Sequence, residues 1–527
     1  MLHLNTALAT TSRPDLEERL TGRFYTPETL VAAILQEVGT RPVNTVCDPF
    51  CGDGRFIVAW LRAASDEQLA ALRGLALWDY DVKAVKIARE RVEATLSNLG
   101  LSSTVELETN AGDTFEQALT PRFDLVLTNP PWEQLKPDSR DKVGDAASYK
   151  TAIQAYSSRL AQSFPEAKTA TSRSIGGYTV NLARAGALLA LAICKPGGNV
   201  GIVLPSTIFG DQVSSEFRSR FFDTLHVSTV SFYPAEARLF SGVDQSVVTV
   251  TGQLSGPSDN FNLRRFHSDL RLREQRTCTN PNGASIPLEI GGAEHALVKS
   301  MAARHPPLSW LEADLRYGLR LGRELDETRI REAFTDTPQG IPFVKGRDVM
   351  RFGHPPEGLP RIDPRARTIP RTVQVNRVAW RDVSRASQKR RVQACKIPMG
   401  YVTGNSLGIA HFSSPTEGLN ETLLAVMNSL SFEIQIRSKL TTNHVSQGVL
   451  RSASVPYACF EAPEVRAVLA SLSSSAGAEN LSHLTLREIV VAKAFGLDRN
   501  DFAALLDSFP KLTNEETAAL LNKSAWS

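Results

Sequence analysis

Four short stretches hold residues able to do chemistry. The first is Asp48-Pro-Phe-Cys-Gly-Asp-Gly54, which follows an apolar run and opens a helical pattern. Glycines at a strand-to-helix turn let the backbone approach a ligand closely, and a helix N-terminus favours negative charge. The spacing is not the G-x-G-x-x-G dinucleotide fingerprint, which argues against a nicotinamide site. The second stretch carries Asp79 and Asp81 at the end of the next apolar run. A carboxylate roughly 25–30 residues after such a turn can accept two hydrogen bonds from a ribose diol. The third is Ala111-Gly-Asp-Thr-Phe115, whose Asp113 is placed to take an adenine amino group. The fourth is Asn129-Pro-Pro-Trp132. Alone, each acidic residue reads as a helix cap or loop carboxylate; in this order at successive strand ends, ligand binding is the better reading.

The elements that must position these residues follow from hydrophobic patterning. Apolar runs at residues 45–47, 74–78, 104–107, 123–127, 199–204, 227–232 and 247–251 read as strands. Helical patterns at 27–38, 55–62, 82–99 and 180–194 alternate with them. That rhythm predicts an α/β fold with a doubly wound, mostly parallel sheet. Pro130 and Pro131 lack an N–H and cannot continue a central ladder, so the 123–127 strand must stop near Asn129 and leave Asn129 and Trp132 on a stiff corner. Residues 137–177 form a long polar insertion, and loops of that length inside a domain are usually functional or mobile. After about Gly256 the strand–helix rhythm stops, and near Glu464 a helical pattern resumes. The expected domains are therefore 1–255, 256–460 with mixed α+β character, and a small helical segment at 461–527.

Composition narrows the classes. The chain has 527 residues, 42% hydrophobic and 22% charged, which is ordinary for a soluble multidomain protein. No apolar stretch approaches the ~20 residues of a membrane span, and the N-terminus lacks signal-peptide character. The six cysteines are scattered, so free thiols in a reducing cytoplasm are expected, with no metal site. Residues 256–527 carry 35 Lys and Arg against 28 Asp and Glu, and 345–396 alone hold 14 basic and 4 acidic residues. Such a block reads either as a polyanion-facing surface or as a solvated face.

Taken together, the ordered motifs resemble those of S-adenosylmethionine-dependent DNA methyltransferases that methylate exocyclic amines. Phe24-Tyr-Thr-Pro-Glu-Thr-Leu-Val31 resembles the cofactor motif that precedes the Gly turn in that family. Its position first, with a large variable region last, is similar to the gamma class of N6-adenine enzymes from type II restriction-modification systems. Leu239-Phe-Ser-Gly-Val-Asp-Gln-Ser246 resembles the later motif whose aromatic residue faces the target base. The resemblance covers residues 20–255. It implies S-adenosylmethionine binding by Thr26, Asp48, Pro49, Phe50, Cys51, Gly52, Gly54, Asp79, Asp113, Asn129 and Pro131, with no metal. It also implies catalysis by Asn129, Pro130, Trp132 and Phe240 on a flipped adenine of double-stranded DNA. The Asn129 oxygen and the Pro130 carbonyl would take the two N–H hydrogens of adenine N6 and turn its lone pair toward the methyl. Trp132 and Phe240 would flank the extruded base. In some relatives an aromatic residue from the helix near 180–189 flanks the cofactor adenine; none occurs here, so Tyr25 or Phe50 is expected to serve.

The second half resembles a target-recognition region. Gly318-Leu-Arg-Leu-Gly-Arg323 and Pro342 to Met350 look like its start, and Thr441 to Leu450 like its closing segment. Basic residues expected on DNA are Lys345, Arg347, Arg351, Arg381, Lys389, Arg390 and Arg391, since phosphate neutralisation dominates affinity. The implied partners are double-stranded DNA and a separate cognate restriction endonuclease, in a prokaryotic cytoplasm. Competing readings are methylation of RNA or of a protein glutamine amide, a methyltransferase of another phage-defence system, a fused nuclease–methyltransferase, or a non-catalytic DNA-binding module. No Pro-Cys pair occurs, which excludes cytosine-C5 methylation and zinc-dependent deamination of the usual design.

Overall fold

The computed structural model describes residues 25–135, 146–169, 179–211, 213–243, 245–385, 388–413, 417–440, 443–474 and 480–527. Phe24, Asp244, Thr441, Thr442 and much of the 137–177 insertion lie outside these, so the motifs containing them are traced in part. The chain divides into two compact units, residues 1–288 and 289–527.

In the first unit the elements are α1 (Glu28–Glu37), β1 (Thr45–Asp48), α2 (Arg55–Ala63), β2 (Gly74–Asp79), α3 (Val82–Asn98), β3 (Glu106–Ala111), β4 (Phe123–Thr128), β5 (Gln134–Leu135), α4 (Ala146–Ser163), β6 (Lys168–Thr169), β7 (Thr179–Asn181), α5 (Leu182–Ile193), β8 (Cys194–Pro205), α6 (Ser215–Thr224), β9 (His226–Tyr233), β10 (Val247–Gln253), β11 (Asn260–Phe266) and β12 (Leu272–Thr279). Nine strands form one sheet in the order β12-β11-β9-β10-β8-β4-β1-β2-β3. The run β8-β4-β1-β2-β3 is parallel, and β10 is antiparallel to both its neighbours. The α/β fold read from the sequence is therefore present. Alternate residues of the central strands enter two different cores. Val46, Leu75, Leu77, Leu125 and Leu127 pack with α1, α2 and α3, whereas Cys47, Ala76, Trp78 and Val126 pack with α4, α5 and α6. This is the two-sided burial that makes parallel strands nearly continuous in hydrophobicity.

The expected boundary at 255 is corrected to 288. Strand β11 pairs in parallel with β9 and β12 closes a hairpin on it, so residues 260–279 extend the first sheet. In β11, exposed Asn260 and Asn262 alternate with buried Phe261 and Leu263, giving the strand one solvated side.

The second unit holds two four-stranded sheets. One joins Leu319–Gly322, Leu407–Phe412, Arg377–Arg381 and Ala394–Ile397, all antiparallel. The tail is not separate from it. Val491, Phe495, Phe502, Leu505 and Leu520 share a single core with Leu319, Val378, Trp380 and the Leu419–Met427 helix. No helix of the described residues is long and apolar enough to cross a membrane.

Candidate active site

The turn after β1 is built by glycine geometry and one charge cluster. Gly52 and Gly54 have φ of +50° and +79°, values that cost an L side chain roughly 1–2 kcal/mol. A Cβ on Gly54 would lie 2.9 Å from Ala88 Cα of α3, so the turn is also pinched between helices. Asp53 is held by Arg55 at 2.8 Å and by Arg91 at 2.6 Å. Burial raises its pKa, but the two guanidinium groups more than offset that and hold it below the ordinary carboxylate range. Arg55 also donates to the Thr26 carbonyl at 2.6 Å, and its guanidinium lies 5.1 Å over the Tyr25 ring. Thr26 and Tyr25 are thereby tied to the turn. Tyr25 lies 3.5 Å from where a Gly52 Cβ would stand.

Asp48, 1% exposed, ends β1. Its Oδ1 accepts from the Phe50 N–H at 3.2 Å. Burial, with Asp79 and Asp53 nearby, pushes its pKa up to about 8. Among the described residues no cation pairs with it, so a buried carboxyl crowded by like charges faces the turn. Pro49 and Cys51 are buried beneath it, and burial raises the Cys51 thiol above its usual range.

Asp79 caps the turn from β2. Its Oδ2 accepts from the Gly52 N–H at 2.8 Å and its Oδ1 from Asp81 N–H at 2.9 Å. Asp81 is the N-cap of α3, accepting from Lys83 N–H, and so serves as a helix cap. Asp113 follows β3. Its Oδ1 accepts from Phe115 N–H at 3.0 Å and its Oδ2 from Arg159 of α4 at 3.0 Å. Burial raises its pKa despite those donors.

The prolines end β4 as the chain chemistry requires. Thr128 is the last ladder residue, and Asn129 to Trp132 leave the sheet beside β1, whose Val46 and Cys47 pair with Leu125 and Val126. Asp48, Asp79, Asp113 and Asn129 therefore sit at the carboxyl ends of four neighbouring parallel strands. The β1–β4 neighbours are where the strand order reverses, the usual crevice of such sheets. The Glu133 carbonyl accepts from Leu182 N–H at 3.0 Å, which ties the corner to the start of α5. Pro131 is half-buried there.

Two features escaped the sequence reading. Gly186 lies inside α5, and a Cβ there would stand 2.4 Å from Pro130 Cβ and 3.0 Å from Phe50 Cε2. Pro130 and Phe50 thus meet across Gly186. A glycine within an Ala- and Leu-rich helix costs about 1 kcal/mol, which was the available signal. The second is α4, whose Arg159 reaches Asp113. One reading is corrected. Trp132 and Phe240 do not flank an open slot, because their rings touch edge to face at 4.9 Å and 69°. A base between two parallel rings needs them about 7 Å apart, twice the carbon contact distance. The Trp132 Nε1–H is buried with no acceptor among the described residues.

In the second unit most of the expected DNA contacts are internal. Arg390 is buried, donating to Glu433 at 2.7 Å and Glu488 at 3.3 Å. Arg391 is 5% exposed, and its N–H donates to Glu433 at 2.7 Å. Lys389 pairs with Glu516, and Lys345 with Glu327. Arg381 donates to the Val349 carbonyl. Arg351 is half-buried, with burial lowering its pKa to about 10. Of the seven only Arg347 is largely exposed, at 76% of its side chain. The opening and closing motifs of this region do meet: Asp382 binds Arg323 at 2.6 Å and His444 at 2.9 Å. Among the described residues no group of His, Cys, Asp or Glu could hold a metal ion.

Residues 14–251 match the family model described as N-6 DNA Methylase. A DrdV–DNA complex shares the fold at 11% identity over 92% of this chain and 59% of that one, with a TM-score of 0.52. The type IIG restriction endonuclease BpuSI matches at 11% identity over 93% and 65%, TM-score 0.44. A type I restriction-modification methyltransferase subunit from Streptococcus thermophilus matches at 17% identity over 46% and 47%, TM-score 0.32. The chain spans less than two thirds of each of these relatives.

Proposed function

With its first half matching N-6 DNA methylases, we propose that the chain transfers a methyl group from S-adenosylmethionine to the N6 amine of a flipped adenine in double-stranded DNA. The observation that carries this reading is the Asn129-Pro130 corner, which stands across Gly186 from Phe50 of the glycine turn. The bound donor supplies an electrophilic methyl on a sulfonium. The residues present fit such a ligand. Asp48 is a buried carboxyl without a cation among the described residues, in a site crowded by Asp79 and Asp53, and the ligand carries positive charge. The turn at Gly52 and Gly54 takes positive φ that only glycine adopts freely, the backbone shape such a ligand-facing turn needs.

Asn129 and Pro130 do the rest by position. Adenine N6 is a poor nucleophile because its lone pair is delocalised into the ring. Two acceptors aimed at its two hydrogens favour the tetrahedral form and orient the lone pair. Pro130 fixes its own φ and contributes no competing donor. Trp132 offers a flat face and a buried N–H that no described residue accepts. Since Trp132 and Phe240 are in contact, entry of a base requires the two rings to part or the base to lie against one of them. Sequence selection then falls to groove contacts from the second unit. Arg347, Arg365, Arg367 and Arg371 are exposed there. We take the enzyme to act as the modification half of a type II restriction-modification system, of the gamma class, with cleavage on a separate protein.

Labelled S-adenosylmethionine incubated with the purified chain and duplex DNA tests this directly. Label should enter adenine N6 of DNA, and Asn129→Ala should lower turnover by about 10²–10³, the usual cost of removing one preorganised dipole. Label in RNA or in protein glutamine alone, or none, would sink the reading; DNA cleavage by the chain itself would remove the separate nuclease.

A further inference from the structure

The described part of the 137–177 insertion is chiefly a helix built to dock. In α4 the residues Ile153, Ser157, Leu160 and Ala161, followed by Phe164, are all buried, a stripe at helical spacing. Phe164 packs edge-on to Phe115 at 6.0 Å, and Phe115 meets Phe50 at 5.4 Å. A row of rings therefore runs from the end of α4 to the glycine turn.

Beside that stripe, Arg159 reaches Asp113. Its Nη2 donates to Asp113 Oδ2 at 3.0 Å, its Nη1 binds the Glu116 carboxylate, and its guanidinium lies 4.9 Å over the Tyr156 ring. The Tyr156 hydroxyl is turned to the same Asp113 carboxylate. Stability is a poor reason for this arrangement. The Arg159 side chain is 42% exposed, and such pairs contribute about 0–1 kcal/mol. The Asp113 side chain, by contrast, is only 3% exposed.

We propose that Arg159 and Tyr156 are positioning residues that hold the Asp113 carboxylate as an acceptor for the exocyclic amine of the cofactor's adenine. This rests on the reading of Asp113 as the adenine-facing residue of the proposed methyltransferase. An exocyclic amine only donates, and the ionised carboxylate is its strongest acceptor. A protonated carboxyl would present a donor of its own. Burial works against ionisation, and Phe115 N–H, Tyr156 and Arg159 work for it, while Glu116 opposes. Tyr80, on the other side, has its own pKa raised by burial and then by Asp113. Phe115 N–H, Tyr156 and Arg159 take three of the carboxylate's four lone-pair sites, so one remains to accept the amine without displacing Arg159.

Equilibrium binding of S-adenosylmethionine to the full chain, measured from pH 6.0 to 8.5, tests the clamp. Arg159→Gln should bind within about twofold of wild type at pH 8.5 and about fivefold more weakly at pH 6.0. Arg159→Lys should recover most of that loss, and Tyr156→Phe should show the same trend at about threefold. An analogue with unsubstituted purine in place of adenine, lacking the amine, should bind all four proteins alike. Arg159→Gln running parallel to wild type across the pH range would overturn the clamp. If Asp113→Ala also binds normally at pH 8.5, it is the adenine reading of Asp113 that fails; if Asp113→Ala is weak while Arg159→Gln is normal, only the clamp fails.

Discussion

A buried carboxyl with a pKa of about 8 makes Asp48 the most sensitive probe of the site. Its ordinary value is 3.8, so between about pH 4 and 8 the folded chain holds a proton that the unfolded chain has released. The sign follows from linkage: stability is highest at low pH, falls as pH rises toward 8, and levels off above it. From pH 6 to pH 9 the loss is on the order of 3 kcal/mol, about two pKa units. For a unit of this size that is a melting-temperature drop of roughly 5–10 °C. Asp113, Glu37 and Asp211 also have raised values, each chiefly through burial, so the diagnostic quantity is the difference between wild type and Asp48→Asn. The variant should melt higher than wild type at pH 9 and lose most of the slope. A cationic ligand seated beside Asp48 should drive the proton out. At pH 7 a group with a pKa near 8 is mostly protonated, so binding of S-adenosylmethionine should release most of one proton. Calorimetry in buffers of different ionisation heat measures this number. Equal proton release by wild type and Asp48→Asn, or parallel melting profiles, would refute the assignment of Asp48 to the cofactor's charged end.

Gly186→Ala places a methyl 2.4 Å from Pro130 Cβ; overpacking of this kind costs about 1–3 kcal/mol, and both the melting temperature and methyl transfer should fall, the latter further. Arg390→Leu strips Glu433 and Glu488 of a shared cation in a buried site; a loss of about 3–5 kcal/mol is expected, read by denaturant unfolding, with DNA affinity per folded molecule unchanged. Replacing Arg365, Arg367 and Arg371 together by Gln should leave stability within about 0.5 kcal/mol. It should also flatten the salt dependence of DNA binding by about 0.9 in log–log slope for each phosphate that is no longer neutralised.

The site was legible wherever a residue's backbone chemistry is unforgiving. Prolines without an N–H had to end β4 at Thr128, and glycines with positive φ had to make the turn after β1. Strand alternation placed both on one edge of one sheet. Charge was far less legible. Arg390 and Arg391 looked like DNA contacts because their neighbours in sequence are basic, yet Glu433 and Glu488, 43 and 98 residues beyond Arg390, neutralise it inside the unit. A local run of charge carries no information about such distant partners. The hairpin at β11 and β12 was missed for a related reason: exposed Asn260 and Asn262, and an Arg265 buried against Glu274, break the apolar continuity that marked the central strands.

The missing aromatic in the helix before β8 has a cause that spacing alone did not reveal. At Gly186 the α5 backbone passes so close to the Pro130 and Phe50 side chains that even a methyl group would collide with both. The helix has given up side-chain volume there so that the corner and the turn can meet. Phe50, backed by Phe115 and Phe164, then stands where a wall is needed, and the wall is braced by a helix of the insertion. Closeness of the amine-binding corner to the turn thus depends on a residue with no side chain at all. A larger residue at 186 should consequently damage catalysis without altering any group that touches substrate, and restoring volume elsewhere, as in Gly186→Ala combined with Phe50→Leu, should recover stability before it recovers turnover.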